Sequence, residues 1–247
     1  MKRISSLTAL VTLTLASPLF AAGGDTEWSY SGPQGPQHWG SLSPEFATCG
    51  SGKNQSPVDL AGMIEGDQPT PQFHYAESGE TLVNNGHTLK ITYPEGNALT
   101  LDGRRYALKQ VHFHTPSEYT IDGQTYPMEG HLVHADAQGN LAVVGVLFEE
   151  GQPNEVLAAL GKELPAQGEQ RDLTGESLSP TAWLPTQREH YRLNGSLTTP
   201  PCTEGVRWLV MKAPVSASSS QIDAVREAIG HANNRPLQPV NARLIVE

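Results

Sequence analysis

The feature that most constrains the fold is a series of short segments in which apolar and polar residues alternate. They cover residues 82–83, 87–93, 98–101, 106–114, 129–135, 141–148 and 207–212. Turn-forming pairs such as Asn85-Gly86 and Asp122-Gly123 lie between them. Alternation with a period of two is typical of half-buried β-strands, and Asn-Gly or Asp-Gly pairs favour tight turns. The sequence therefore predicts a mainly β fold.

Two segments predict short helices instead. Residues 154–162 begin with Asn154, which is a suitable N-cap, and residues 221–231 follow a run of serines that can cap them. No linker-like stretch divides residues 23–247, and a single domain of this length can bury a sizeable core. We therefore expect one mainly β domain over residues 23–247, with short helices added to it.

The first 22 residues have the pattern of an export signal. Lys2 and Arg3 form a basic start, residues 7–20 are largely apolar, and Ala21 and Ala22 offer a small-residue cleavage region. The apolar run is shorter than a typical membrane span, although a retained N-terminal anchor is the alternative. We interpret residues 1–22 as a cleaved signal peptide. The expected location is the periplasm or the exterior, with no membrane span in the mature chain.

Charge and cysteine content narrow the function further. The formal net charge is −10 at pH 7, and this argues against nucleic acid as a partner because a phosphate backbone requires a basic patch. The only cysteines are Cys49 and Cys202. In an exported protein such a pair favours a disulfide bond, and two unpaired buried thiols are the alternative.

A candidate metal site lies in two of the predicted strands. His112 and His114 are two residues apart, so they point to the same face of a strand while Phe113 points to the other. A third histidine, His131, lies in a second strand, where it shares a face with Val133. Three imidazoles placed in this way can bind one ion together. Taken alone, a His-x-His pair on a strand also occurs as two satisfied structural histidines.

Each ligand strand also carries a residue suited to orient its histidine. Gln110 lies two residues before His112, and Glu129 lies two residues before His131, so each pair shares a face. Metal-bound imidazoles usually donate their other N–H to a carboxylate, amide or carbonyl group, which fixes the tautomer. Three neutral histidines with an open fourth position are typical of catalytic zinc, whereas structural zinc sites usually have four ligands.

The other histidines receive plainer interpretations. His134 has the parity opposite to His131, so we expect it to be a buried, hydrogen-bonded core residue. His74, His190 and His231 have no evident partners in the sequence and are expected at the surface. His87 follows the Asn85-Gly86 turn, and by position alone it is an ordinary exposed turn histidine.

The motifs as a set resemble those of the α-class carbonic anhydrases, in particular the exported bacterial members. The matching segments are NQSPV at 54–58, VNNGH at 83–87, QVHFHTPSE at 110–118, EGHLVH at 129–134, LAVVG at 141–145, SLTTPPC at 196–202 and RPLQP at 235–239. They occur in the family's order and span nearly all of the chain after Trp28. The resemblance implies a large twisted, mostly antiparallel sheet of about ten strands with short surface helices. It also implies zinc at the base of a conical cavity.

The resemblance assigns roles residue by residue. It implies that His112, His114 and His131 bind zinc, that Gln110 and Glu129 orient them, and that Cys49 and Cys202 form a disulfide. The implied catalytic residues are His87 as proton shuttle, Thr198 with Glu118 as the pair that orients the nucleophile, and Thr199 as the residue that places bicarbonate. The implied apolar wall of the substrate pocket consists of Val133, Val143, Leu197 and Trp208.

The activity implied by this resemblance is the reversible hydration of carbon dioxide to bicarbonate and a proton by zinc-bound hydroxide. Sulfonamides and small anions are the inhibitors that it implies, and a homodimer is the implied assembly. Three other functions remain open at this point: a non-catalytic binding module, a zinc-dependent ester hydrolase and a metal-delivery protein. The Glu118 assignment rests on a gap, because Thr115-Pro116-Ser117 stands where well-known animal members have a longer loop.

Overall fold

The computed structural model describes residues 26–247, and the expected signal segment, 1–22, lies outside the described residues. Its α-helices are α1 (Trp39–Leu42), α2 (Thr48–Ser51), α3 (Glu155–Leu160) and α4 (Ser219–Ile229). Short 3₁₀ turns lie at Gly32–Gln34, Pro44–Phe46 and Pro180–Trp183. Among the described residues, no helix is long and apolar enough to cross a membrane.

Strands dominate the described part of the chain. They are β1 (Asp59–Leu60), β2 (Gln72–His74), β3 (Thr81–Asn84), β4 (Leu89–Thr92), β5 (Ala98–Leu101), β6 (Arg104–His114), β7 (Thr120–Ile121), β8 (Gln124–Thr125), β9 (Met128–Ala135), β10 (Leu141–Glu150), β11 (Gln170–Asp172), β12 (His190–Ser196), β13 (Glu204–Met211) and β14 (Val215–Ala217). Eleven of them form one sheet, and β1, β7 and β8 form a small second one. The predicted fold class is therefore confirmed.

The large sheet runs in the order β11-β3-β4-β6-β9-β10-β13-β12, with β5, β2 and β14 attached beside this path. Its pairings are antiparallel except where β10 meets β13 and β14. Strands β6, β9 and β10, each of at least eight residues, are neighbours at the centre. Side chains near the middle of these strands are therefore held by ladders on both sides.

The two faces of the sheet bury different cores. Along β10, Ala142 and Val144 join the larger core, whereas Val143 and Leu147 join a second core on the opposite face. Because β10 is covered on both faces, it is an almost continuous apolar run, as expected of a central strand. Helices α3 and α4 contribute to the larger core, so they cover that face.

A bulge in β6 changes which residues face the larger core. Tyr106 and Leu108 enter that core before the bulge, and Val111 and Phe113 enter it after. The pairing of β6 with β9 shifts register between Leu108 and Gln110, which accounts for the change of parity. The predicted strand, 106–114, ends where β6 ends but begins two residues late, and its alternation is not continuous.

The two predicted helices are present with adjusted ends. In α3, the Asn154 side chain accepts hydrogen bonds from the first-turn N–H groups, so the expected N-cap is confirmed. In α4, the predicted serine cap is Ser218, which forms a capping box with Gln221. This helix ends at Ile229 because Gly230 adopts a left-handed conformation with φ 84°.

The Cys49–Cys202 disulfide links α2 to the loop after β12, as expected. Both cysteines are buried with Trp39 and Phe46 in a third apolar cluster. The bridge joins residues separated by 153 positions, so it closes most of the described chain into one loop.

Candidate metal centre

The three candidate ligand histidines meet on adjacent strands. His112 on β6 is directly opposite His131 on β9, and Phe113 between the two β6 histidines points into the larger core on the other face. His114 and His131 are each 1% exposed, while His112 is half-buried. One ring nitrogen from each of the three histidines lies within 4.8 Å of the other two. The predicted strand parity therefore brings the predicted ligands together.

Each ring is oriented through its other nitrogen. His112 Nδ1 donates to Gln110 Oε1 at 2.8 Å, and His131 Nε2 donates to Glu129 Oε1 at 2.9 Å. These oxygens can accept but not donate, so the partnered nitrogen carries the proton and the other keeps its lone pair. The sequence predicts that Gln110 orients His112 and that Glu129 orients His131, and the structure contains both of these hydrogen bonds.

The orienting partner of His114 is one that sequence reasoning missed. His114 Nδ1 donates to the backbone carbonyl of Asn233 at 2.7 Å. Its other nitrogen, Nε2, is buried and has no hydrogen-bond partner among the described residues. An unpartnered buried nitrogen with a lone pair is the form of histidine that binds a metal ion.

Burial keeps the three rings neutral. It lowers the pKa of His112 and of His114, and it lowers the pKa of His131 to about 3. The neighbouring histidines lower the pKa of His112 further, because a second positive charge nearby is unfavourable. A neutral imidazole is the state that binds a cation, so the set fits a metal with nitrogen ligands.

Glu129 also organises the loop after β6. Its Oε2 accepts hydrogen bonds from the backbone N–H groups of Glu118 and Tyr119, at 2.8 and 2.9 Å. The Glu129 side chain is fully buried. One carboxylate thus orients His131 with one oxygen and fixes the backbone at Glu118 with the other.

Glu118 lies beside the ligands, where the resemblance placed it. Its Oε1 accepts from the Arg235 backbone N–H at 2.8 Å, and its Oε2 is 3.6 Å from His114 Nε2. Burial raises the pKa of this carboxyl group, whereas the nearby His114 and hydrogen bonds from the Arg235 backbone and the Thr198 side chain lower it. Although the Thr115-Pro116-Ser117 segment is shorter than the loop of the animal members, Glu118 lies at the site.

Apolar side chains line one side of the centre. Val143 and Trp208 are buried in the second core, and the partly buried Val133 and Leu197 pack against it. Val143 is opposite both Val133 and Trp208 in the ladder, which groups these side chains. The Trp208 ring meets His131 edge-on at 4.9 Å between centroids. The four expected wall residues thus belong to one apolar cluster next to a ligand.

The segment with Thr198 and Thr199 is fixed at its end by the disulfide. The Cys202 N–H donates to the Thr199 carbonyl at 2.8 Å, and Gln55 Nε2 donates to the Cys202 carbonyl at 3.1 Å. Thr198 itself is 5% exposed. The bridge to Cys49 therefore holds the turn that carries both threonines.

His87 stands on a tight turn and is only half-buried. Asn85 Oδ1 accepts from the His87 and Thr88 N–H groups at 3.0 and 2.9 Å, and Gly86 supplies the positive φ of 81°. The His87 ring stacks on Trp28 with centroids 3.9 Å apart. Burial and the nearby His231 lower its pKa.

Asn233 connects several of these parts and is fully buried. Its carbonyl orients His114, and its Oδ1 accepts from the Thr115 N–H at 2.8 Å. Its Nδ2 donates to the carbonyls of His87 and Phe113, at 3.0 and 2.9 Å. In the sequence, the only indication of the role of Asn233 is its position just before the 235–239 motif.

Of the remaining histidines, one interpretation was wrong. His134 is buried on the opposite face and its Nε2 is 2.7 Å from the Tyr75 hydroxyl, as expected of a core histidine. His74 and His231 are exposed, also as expected. His190, expected at the surface, is only 7% exposed because the start of β12 is covered by neighbouring segments.

Comparisons with known proteins agree with this geometry. Residues 34–247 match the family model of the eukaryotic-type carbonic anhydrases. Carbonic anhydrases of Pectobacterium atrosepticum and Neisseria gonorrhoeae are each 43% identical, over 96% and 100% of this chain and 97% and 98% of theirs. The solved α-carbonic anhydrase of Thermovibrio ammonificans, in complex with the inhibitor sulfanilamide, has a TM-score of 0.88 at 45% identity. That alignment covers 91% of this chain and 100% of the other.

A large mixed sheet with a three-histidine site, together with these matches, defines an enzyme of the lyase class. The chain belongs to the α-class carbonic anhydrase family. The reaction of that family is the hydration of carbon dioxide.

Proposed function

We propose that the protein catalyses the reversible hydration of carbon dioxide with a zinc ion held by His112, His114 and His131. The observation that supports this most is the convergence of three ring nitrogens within 4.8 Å, each on a ring oriented through its other nitrogen. Zinc held by three neutral imidazoles lowers the pKa of its water to about 7, the behaviour for which carbonic anhydrase is the standard example, and so supplies hydroxide.

The chain's own residues position the reactants. Gln110, Glu129 and the Asn233 carbonyl fix the tautomers of the three ligands. We assign to the Thr198 hydroxyl the role of donating to Glu118, whose pKa the Thr198 side chain lowers, so that the hydroxyl oxygen is left to accept the proton of the nucleophile. We assign Thr199 to the placement of bicarbonate. These donors and acceptors are set before substrate arrives, which is how a site orients a nucleophile without reorganisation.

Carbon dioxide is small and apolar, so it needs an apolar surface next to the nucleophile. We assign this role to Val133, Val143, Leu197 and Trp208, which form one cluster beside His131. Burial of these side chains keeps water from competing for the same surface. Bicarbonate, which is charged, gains nothing from that surface and is released.

The metal dependence is tested by stopped-flow CO₂ hydration on the purified mature protein with metal analysis. We expect about one zinc per chain, loss of the hydration rate after chelation, and recovery on adding zinc. Sulfanilamide, the inhibitor in the Thermovibrio ammonificans structure, is expected to suppress the rate. A chelated protein that keeps its full rate would contradict the proposal.

We propose His87 as the group that carries the proton from the centre to buffer. An imidazole can both accept and release a proton, and burial and the nearby His231 lower the pKa of His87, which favours release of the proton to buffer. Its half-buried position gives it contact with solvent. The Asn85 turn and the Trp28 ring hold it at the surface end of β4.

The His87→Ala variant is expected to slow turnover in weak buffer by about tenfold or more, because proton export loses its carrier. Added imidazole is expected to restore part of the rate, and concentrated buffer to restore most of it. Zinc content should not change. Equal rates for variant and wild type in weak buffer would remove His87 from this role.

The remaining proposals concern location and assembly. We propose that residues 1–22 are removed on export and that residues 23–247 form the mature single domain, in the periplasm or outside the cell. The Cys49–Cys202 disulfide supports an oxidising location, since such bonds are rare in the cytosol. We also predict that sulfonamides and small anions bind to the metal. The predicted assembly is a homodimer.

A further inference from the structure

A lysine side chain lies beside the candidate metal ligands. Lys90 on β4 is directly opposite His112 on β6, and the two strands are antiparallel. The residues before and after it, Leu89 and Ile91, belong to the larger core. Because successive side chains on a strand alternate between faces, Lys90 shares the face of the sheet that carries His112. The lysine is therefore a direct neighbour of a candidate ligand.

Lys90 adjoins the more exposed side of the three-histidine cluster. His112 is half-buried, whereas His114 and His131 are each 1% exposed, so the centre is accessible from the side of His112. The buried carboxylate of Glu129 belongs to β9, the strand on the other side of β6. The strand order β4-β6-β9 thus places the cation at the accessible side and this carboxylate at the buried side.

The ammonium group of Lys90 has no ion-pair or hydrogen-bond partner within residues 26–247. Its neighbours on the same face are Val83, which is opposite it on β3, and Thr92, two residues along β4. Neither of them carries a charge. The positive charge of Lys90 is therefore available to a ligand, in a chain whose formal net charge of −10 otherwise repels anions.

The charge of Lys90 acts on the metal centre. Burial and the two neighbouring histidines lower the pKa of His112 most, and the Lys90 ammonium lowers it further. A charge that disfavours a second cation at this place favours an anion there, by the same Coulomb interaction. Residues opposite each other on neighbouring strands have Cβ atoms about 5 Å apart, which is less than the Debye length of about 8 Å at physiological ionic strength. An anion at the metal is therefore not fully screened from Lys90.

We propose that Lys90 gives the metal centre a preference for ligands that carry a negative charge. The inference rests on the proposed function, because it concerns what binds at the metal held by His112 and its two partners. Bicarbonate is the anion of that reaction, whereas carbon dioxide is neutral. A lysine ammonium is a compact charge on a flexible stem, so it attracts an anion without fixing its orientation. Lys90 is thus a specificity-determining residue of the site.

Isothermal titration calorimetry on the zinc-loaded protein tests this with two sulfonamides that differ only at the outer end of the ring, sulfanilamide and 4-carboxybenzenesulfonamide. Lys90→Gln should weaken binding of the carboxylated compound, relative to sulfanilamide, by about threefold, the size of one partly exposed charge interaction. Lys90→Glu reverses the charge and should weaken it by about tenfold. Salt at about 0.5 M should remove most of the difference. Bicarbonate, measured by its displacement of sulfanilamide, should lose affinity by similar factors.

The matched control is Lys162→Glu, which makes the same change of net charge at an exposed lysine just after α3, the helix that covers the larger core. It should leave the ratio of the two sulfonamide affinities unchanged. Retained sulfanilamide binding shows that each variant is folded.

Two failures are distinguishable. If neither sulfonamide binds the wild-type protein, the proposed metal centre is wrong and this inference falls with it. If both bind but their affinity ratio is the same in wild type, Lys90→Gln and Lys90→Glu, the inference alone is overturned. Unchanged displacement by bicarbonate in the Lys90 variants, or an equal change of the ratio in Lys162→Glu, overturns it as well.

Discussion

With both His112 and His114 changed to alanine, the protein is expected to retain no zinc and to hydrate carbon dioxide no faster than buffer alone. Loss of a residue that merely orients a ligand already lowers metal affinity about tenfold to a hundredfold, and here two of three ligands are lost. Stopped-flow hydration and metal analysis on the same sample measure both consequences. Because the two side chains lie on one face of β6, their removal leaves the core packing of Phe113 intact.

The matched control for this variant is His74→Ala, which removes an exposed histidine from β2. It should keep both zinc and the full hydration rate. Unchanged zinc content in the double variant would mean that the metal lies elsewhere. A normal hydration rate without zinc would contradict both the ligand assignment and the metal-dependent chemistry.

The Cys49→Ser, Cys202→Ser double variant is expected to lose up to about 5 kcal/mol of folding stability. The bond joins residues 153 positions apart, and in the chain-entropy description the constraint on the unfolded chain grows with loop length. For a chain of this size, that loss corresponds to a fall of about 10–20 °C in Tm. Urea and thermal denaturation followed by circular dichroism measure the two quantities.

Reduction provides the control for the disulfide prediction. Wild-type protein in excess dithiothreitol should unfold at the same temperature as the double variant, which has no disulfide to lose. The variant itself should not respond to the reductant. A stability loss below about 1 kcal/mol would show that packing around the cysteines, rather than the covalent link, supplies the stability.

The long central strands were predictable because their signal is local. In β6 and β9, side-chain parity alone placed the three ligands and two of their orienting partners. Strand β12 was not predicted, since His190–Ser196 contains Asn and Gly and its strand character comes from pairing with β13. The bulge in β6 was also missed because both segments around it alternate normally.

The types of the residues in a sequence do not indicate which contacts the backbone atoms make. Any residue at position 233 has a carbonyl group, so nothing in its side chain marks it as the partner of His114. The burial of His190 could likewise not be predicted from its residue type. His190 lines the same cavity as the segment at 66–71, which is more than a hundred residues away in sequence, and only the folded chain brings the two together.

The contacts of Asn233 tie the turn that carries His87 to the strand end that carries His114. One side chain holds the carbonyl of His87 and the backbone around His114, and the same residue's carbonyl orients the His114 ring. The proposed metal ligand His114 and the proposed proton carrier His87 therefore share a single anchoring residue. A substitution there removes the side-chain bonds to the Thr115 N–H and to the His87 carbonyl together, whereas the backbone carbonyl that orients His114 is kept. On the outer side of the turn, Asn85 is exposed and Trp28 covers the His87 ring, so a substitution at Trp28 would act on the proposed proton carrier without touching the backbone at His114.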